Sequence, residues 1–159
     1  MPGQIRGRIS RAYDQLVKSQ SMEEANRQPL VSGDILNFCN NMIHWKPYPY
    51  QEKLLLDNTK FIAARMARQT GKSTTLAVLA LYTALAKPNA NVVIVGPSLR
   101  QARLLVQKAW ILARNIRRVF RSRPLKGRLE FRNGSIIQAL PNSPETIRGL
   151  TSRRIQFRR

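Results

Sequence analysis

The tract from Phe61 to Val95 constrains this chain more than any other. A short apolar run, Phe61-Ile62-Ala63-Ala64, reads as a buried strand. It feeds a polar loop, and then fourteen residues from Ser73 to Ala86 carry no charge. They are apolar nearly all round, which describes a buried helix; a bilayer span would need about 20. After Lys87-Pro88-Asn89-Ala90 comes Asn91-Val92-Val93-Ile94-Val95, β-branched and continuous, as parallel strands buried on both faces are. Gly96-Pro97-Ser98 turns the chain, and Ser98 is placed to cap a helix running to about Phe120. The period then changes. Leu129-Glu130-Phe131-Arg132 alternates, Asn133-Gly134 offers the positive φ angles of a tight turn, and Ser135-Ile136-Ile137-Gln138-Ala139 returns, so a β-hairpin is expected near the C-terminus. Strand, loop, helix, strand, helix is the order of an α/β domain with a mainly parallel sheet flanked by helices.

Length and composition fit one domain with a real core: 159 residues, 43% of them hydrophobic. Residues 1–44 read as a mainly helical lead-in, with Ile5, Ile9, Tyr13, Leu16 and Val17 on one face, and 45–159 as the α/β domain. The start, MPGQIRGRIS, lacks the apolar core of a secretory signal, and Cys39 alone excludes an internal disulfide framework; both suit a cytoplasm, with no membrane association. His44 is the one histidine, which excludes a histidine metal cluster, and no useful Ser-His-Asp arrangement is read around it. The net charge of +20 calls for a polyanionic partner, of which nucleic acid is the commonest. That charge is uneven. From Arg100 to Arg159 there are sixteen basic and two acidic residues, and no carboxylate follows Glu145.

The chemistry sits in Thr70-Gly71-Lys72-Ser73-Thr74, between the expected strand and helix. Polyphosphate binding needs backbone amides at a helix N-terminus, a glycine that lets them approach, and a mobile cation. Gly71 supplies the close approach, Lys72 can reach the β- and γ-phosphates, and the Ser73 hydroxyl can ligate Mg²⁺. The pattern departs from Gly-x4-Gly-Lys-Ser/Thr, because Met66 stands at its first position.

Four segments together resemble one family, the large terminase subunit of tailed bacteriophages. They are Ala67-Arg68-Gln69-Thr70-Gly71-Lys72-Ser73, a family form of the phosphate loop without its first glycine; Tyr48-Pro49-Tyr50-Gln51, similar to an adenine-recognition segment; Val92 to Ala102, similar to the second strand and its Gln-Ala helix; and Asn133-Gly134-Ser135 with Leu140-Pro141 and Ile147-Arg148-Gly149. The resemblance implies a P-loop NTPase of the RecA/ASCE-like kind, using ATP and Mg²⁺ to package double-stranded DNA. It implies nucleotide contacts at Gln51, Arg68, Gln69, Thr70, Gly71, Lys72, Ser73 and Thr74. Gln51 would read the adenine, and Arg68 would act in cis on the γ-phosphate beside the catalytic Lys72. As partners it implies the small terminase subunit, the portal ring and further copies of the chain, in the cytoplasm of a bacterial host.

After Gly149 the family continues to an apolar strand ending in Asp-Glu, the Walker B acids, whereas this chain reads Leu150-Thr151-Ser152-Arg153-Arg154-Ile155-Gln156-Phe157-Arg158-Arg159. The expectation is an incomplete domain, truncated before that motif, with a central strand missing, unpaired sheet edges and little or no turnover. A truncated or frame-shifted gene or a split subunit would account for it. Arg153, Arg154, Arg158 and Arg159 could form a DNA-contacting tail. Two alternatives stand beside this reading: a helicase-like ATPase fragment, or a basic nucleic-acid-binding protein whose Gly-Lys-Ser is accidental.

Overall fold

The computed structural model describes residues 28–142 and the strand at 153–156. The expected N-terminal helical face and the Ile147-Arg148-Gly149 stretch lie outside the described residues. In chain order the elements are α1 (Ile35–Asn37, running into a π-helical turn, Phe38–Met42), α2 (Pro49–Leu56), α3 (Lys72–Ala86), β1 (Asn91–Gly96), α4 (Leu99–Leu112, extended by a 3-10 turn at Ala113–Val119), β2 (Arg128–Glu130), β3 (Ile136–Pro141) and β4 (Arg153–Gln156).

The sheet order is β2-β3-β1-β4. β1 pairs in parallel with β3, Asn91 opposite Ile136 through Gly96 opposite Pro141. On its other side β1 pairs in parallel with β4, Val92 opposite Arg153 and Val95 opposite Gln156. β2 and β3 form the expected antiparallel hairpin. Val92, Ile94 and Ile137 enter a core built from α3 and α4, where Val78, Leu81, Leu85 and Ala109 are fully buried. Burying a leucine such as Leu81 contributes about 2 kcal/mol, so the charge-free character of α3 is explained by its position against both β1 and α4.

Three expectations are corrected. Phe61–Ala64 forms no strand: Phe61 is 84% exposed. An apolar run becomes a strand only where a neighbour takes its backbone hydrogen bonds, and no described strand pairs with it. Conversely, the arginine-rich end was expected to leave a central strand missing and sheet edges unpaired, yet Arg153–Gln156 pairs with β1 as β4. Main-chain pairing depends on the backbone more than on side-chain polarity, and the open edge of β1 supplies its partners. Finally, α4 stops at Leu112, short of Phe120: Ala113 leaves α-helical geometry (φ −84°, ψ 6°), and Ile116 (φ −114°, ψ 38°) kinks the 3-10 segment that follows. Trp110 sits edge-on to Phe120 at 4.9 Å and Phe120 stacks on Phe131 at 5.1 Å, which draws the 3-10 segment toward the hairpin.

The turn after Phe131 uses its residues differently from the expectation. Gly134 alone takes a positive φ, 79°. Asn133 is fully buried and donates its amide to the carbonyls of Ala84 (2.8 Å) and Leu85 (3.3 Å), the last residues but one and two of α3, while its Oδ1 accepts from the Ser135 amide at 3.1 Å. Helix C-termini leave carbonyls without intrahelical partners; here the hairpin supplies them.

The described part of the lead-in belongs to the same core. Val31, Ile35, Phe38, Cys39 and Ile43 join the cluster around α3, the Leu30 amide donates to Leu85 O (2.8 Å), and the Tyr82 hydroxyl donates to Gly33 O (2.9 Å). Burial, with the Asp34 carboxylate adding to it, pushes the Cys39 thiol up to about 11, from an ordinary value of about 8.5. Two results follow. Ellman's reagent at pH 8 should leave Cys39 unlabelled until denaturant is added. Because the folded state holds this proton more tightly than the unfolded state does, that contribution to stability is complete below about pH 8.5 and declines as pH climbs toward 11. Rapid labelling of folded chain would contradict the burial.

Candidate nucleotide site

The loop before α3 is shaped by two left-handed residues, Gln69 (φ 63°) and Gly71 (φ 75°). The second opens the helix: the Thr74 and Thr75 amides bond to Gly71 O at 2.9 and 3.0 Å, and the Thr75 hydroxyl donates to the same carbonyl at 3.2 Å. The Thr70 hydroxyl donates to Ala67 O at 2.9 Å. The Lys72 ammonium reaches back over the loop to Met66 O, 3.0 Å away and six residues earlier. Met66, the position where a glycine would be usual, thus faces the lysine through its carbonyl, which needs no particular side chain.

α2 supplies the second wall. Pro49 opens it, and Gln51 at its third position accepts the Tyr48 amide through Oε1 at 2.9 Å, as a capping-box glutamine does. The other end of the same side chain points to the loop: Nε2 donates to Thr70 O at 3.1 Å, and the Tyr50 hydroxyl donates to that oxygen at 3.0 Å. Gln51 is 2% exposed. A Cβ on residue 71 would lie 2.5 Å from Gln51 Nε2. Glycine is therefore required twice, for its φ and for the space that Gln51 fills. Tyr48 and Tyr50 stack nearly parallel, 5.7 Å apart and 6° from coplanar, with both rings exposed.

Of the expected site residues, Gln51, Thr70, Gly71, Lys72, Ser73 and Thr74 are brought to one place, where α2 meets the loop and the start of α3. Arg68 and Gln69 sit on the loop itself, both exposed, and Arg65 is exposed too. The sequence reading overlooked Lys108, whose ammonium crosses from α4 to donate to the Thr74 hydroxyl at 3.3 Å, adding a second cation to the start of α3. Its only sequence signal was its place on the polar side of α4. Among the described carboxylates, Asp34 caps α1, Asp57 accepts from the Thr59 amide and Glu130 pairs with Arg128. No described group of three or more His, Cys, Asp or Glu residues could hold a metal ion, and no described helix is long and apolar enough to cross a membrane. A kinked loop opening a helix, one lysine across it and a hydroxyl next in line fit a polyphosphate and its divalent cation.

No curated protein matches the chain. A solved structure, the ATPase domain of the large terminase of Thermus phage P74-26, superposes with a TM-score of 0.60 at 22% identity, covering 74% of this chain. The chain spans 55% of the length of that domain. The family model for the N-terminal part of T4likevirus-type terminase large subunits matches residues 65–157, from the phosphate loop through β4. The chain belongs to that family.

Proposed function

We propose that this chain binds ATP with Mg²⁺ as the N-terminal part of a viral DNA-packaging motor. The observation that carries the reading is the glycine-kinked loop of Gly71–Ser73, walled by α2, in a chain of the terminase large-subunit family. Lys72 holds the β- and γ-phosphates, and the amides from Gln69 to Ser73 surround them. Ser73 Oγ would ligate Mg²⁺, which would supply neutralisation of the phosphate charge. Arg68 lies exposed on the loop, from where its guanidinium would reach the γ-phosphate. Tyr48 and Tyr50 give the adenine an aromatic face, with Gln51 behind them.

Titration of a fluorescent ATP analogue with Mg²⁺, against this chain and its Lys72→Ala variant, decides the matter; equal binding by both would end the reading.

The acting partner is double-stranded DNA, with the small subunit, the portal ring and further copies of the chain completing the motor in the host cytoplasm. From Thr59 to Leu129 the chain carries no acidic residue, and the exposed arginines at 114, 117, 118, 121 and 123 form a basic end to α4. Binding through phosphates releases counterions, about one for each contact. Affinity for random duplex should therefore fall roughly 10³-fold or more between 50 and 200 mM salt if six phosphates are met. A flat response in a filter-binding assay would remove DNA from the proposal.

A further inference from the structure

The Thr70 carbonyl accepts two hydrogen bonds from α2, from Tyr50 Oη at 3.0 Å and Gln51 Nε2 at 3.1 Å. We propose that Tyr50 and Gln51 are positioning residues for the phosphate loop, their side chains holding the Thr70–Gly71 peptide in the orientation that a triphosphate requires. This rests on the nucleotide reading above and adds a role that the aromatic and amide groups would not have as base contacts alone.

Three features support it. The peptide that carries Thr70 O also carries the Gly71 amide, on the opposite edge of the same plane. Fixing the oxygen toward α2 therefore fixes the direction in which that N–H points. Gly71 has the permissive backbone of glycine, so without an external hold its peptide can rotate; a loop that must pre-exist for its ligand gains affinity from being held. The grip is also built at both ends. Gln51 is 2% exposed and anchored by the Tyr48 amide through its own oxygen, so it cannot swing away without leaving a buried polar group unpaired. The contacts span about twenty residues of sequence, and they join α2 to the loop directly.

Base stacking and loop positioning separate cleanly by ligand. The unmodified chain, Tyr50→Phe, Gln51→Ala and Lys72→Ala would be titrated calorimetrically with Mg·ATP and with Mg·tripolyphosphate, which has no base. Tyr50→Phe keeps the ring and removes only the hydroxyl. It should weaken both ligands by the same factor, about fivefold, the effect of one ordinary hydrogen bond. Gln51→Ala should weaken both further. Hydrogen–deuterium exchange of the peptide covering residues 66–72 should quicken in Tyr50→Phe without ligand, while the remaining peptides and the melting temperature stay unchanged. A Tyr50→Phe chain that binds both ligands normally overturns the proposal and leaves the nucleotide reading intact, as does a loss confined to ATP. If the unmodified chain binds neither ligand, or if Lys72→Ala changes nothing, both fall together.

Discussion

Lys72→Ala should reduce Mg·ATP affinity at least 100-fold while the chain melts at nearly its original temperature. The ammonium donates to Met66 O at 3.0 Å, at a site that is only partly buried. Losing that neutral-acceptor bond costs the fold about 1 kcal/mol. Against a bound triphosphate the same group meets several negative oxygens at close range, where charge-assisted bonds are roughly twice as strong as neutral ones. Removing a cation there leaves phosphate charge uncompensated, an effect of about 3 kcal/mol or more, and each 1.4 kcal/mol is tenfold in affinity. Lys72→Arg is the informative companion. Its guanidinium is a broad, planar fork rather than a compact point charge, so it should rescue poorly despite its charge. Equal loss of stability and affinity in Lys72→Ala would mean that the lysine is structural.

The largest effect on stability should come from Asn133→Ala. Its amide serves two carbonyls at the end of α3, and its oxygen serves the Ser135 amide, all of them buried. Leu85 O keeps the Leu30 amide, but leaving Ala84 O and the Ser135 amide without the Asn133 side chain costs about 2–3 kcal/mol, roughly a 5–10 °C drop in melting temperature for a domain of this size. Asn133→Asp and Asn133→Gly separate two explanations. Both substitutes suit a tight turn, so both would be tolerated if turn geometry were what matters. Neither can donate to Ala84 and Leu85, so both should melt early. Normal melting of Asn133→Gly in a thermal scan would show that the bonds to α3 are dispensable.

These two residues also show which parts of the molecule were legible in the sequence. α3, β1 and the hairpin were plain because their signals are local: an apolar stretch with no charge, a β-branched run, an alternation broken by Asn-Gly. The loop was legible from Gly71-Lys72-Ser73 for the same reason. The strand expected at Phe61–Ala64 was not, since a strand is defined by its neighbour, and four apolar residues carry no information about one. β4 failed in the opposite direction, its arginines concealing a backbone that pairs with β1. Asn133 was read as a turn residue because its partners lie nearly fifty positions earlier. The bond from Gln51 to Thr70 O was not legible either, because nothing around Gln51 announces that Thr70 returns to meet it.

Phe61 has a further consequence for handling the chain. Lys60 and Arg65 bracket the bare apolar run, and the Lys60 ammonium lies 5.4 Å from the centre of the Phe61 ring. Charges flanking a sticky stretch act as gatekeepers against cross-β stacking between molecules. The shielding comes from like charges repelling across short distances, so high ionic strength weakens it. Concentrated salt, which would strip nucleic acid from such a cationic surface, therefore also removes the barrier to clumping.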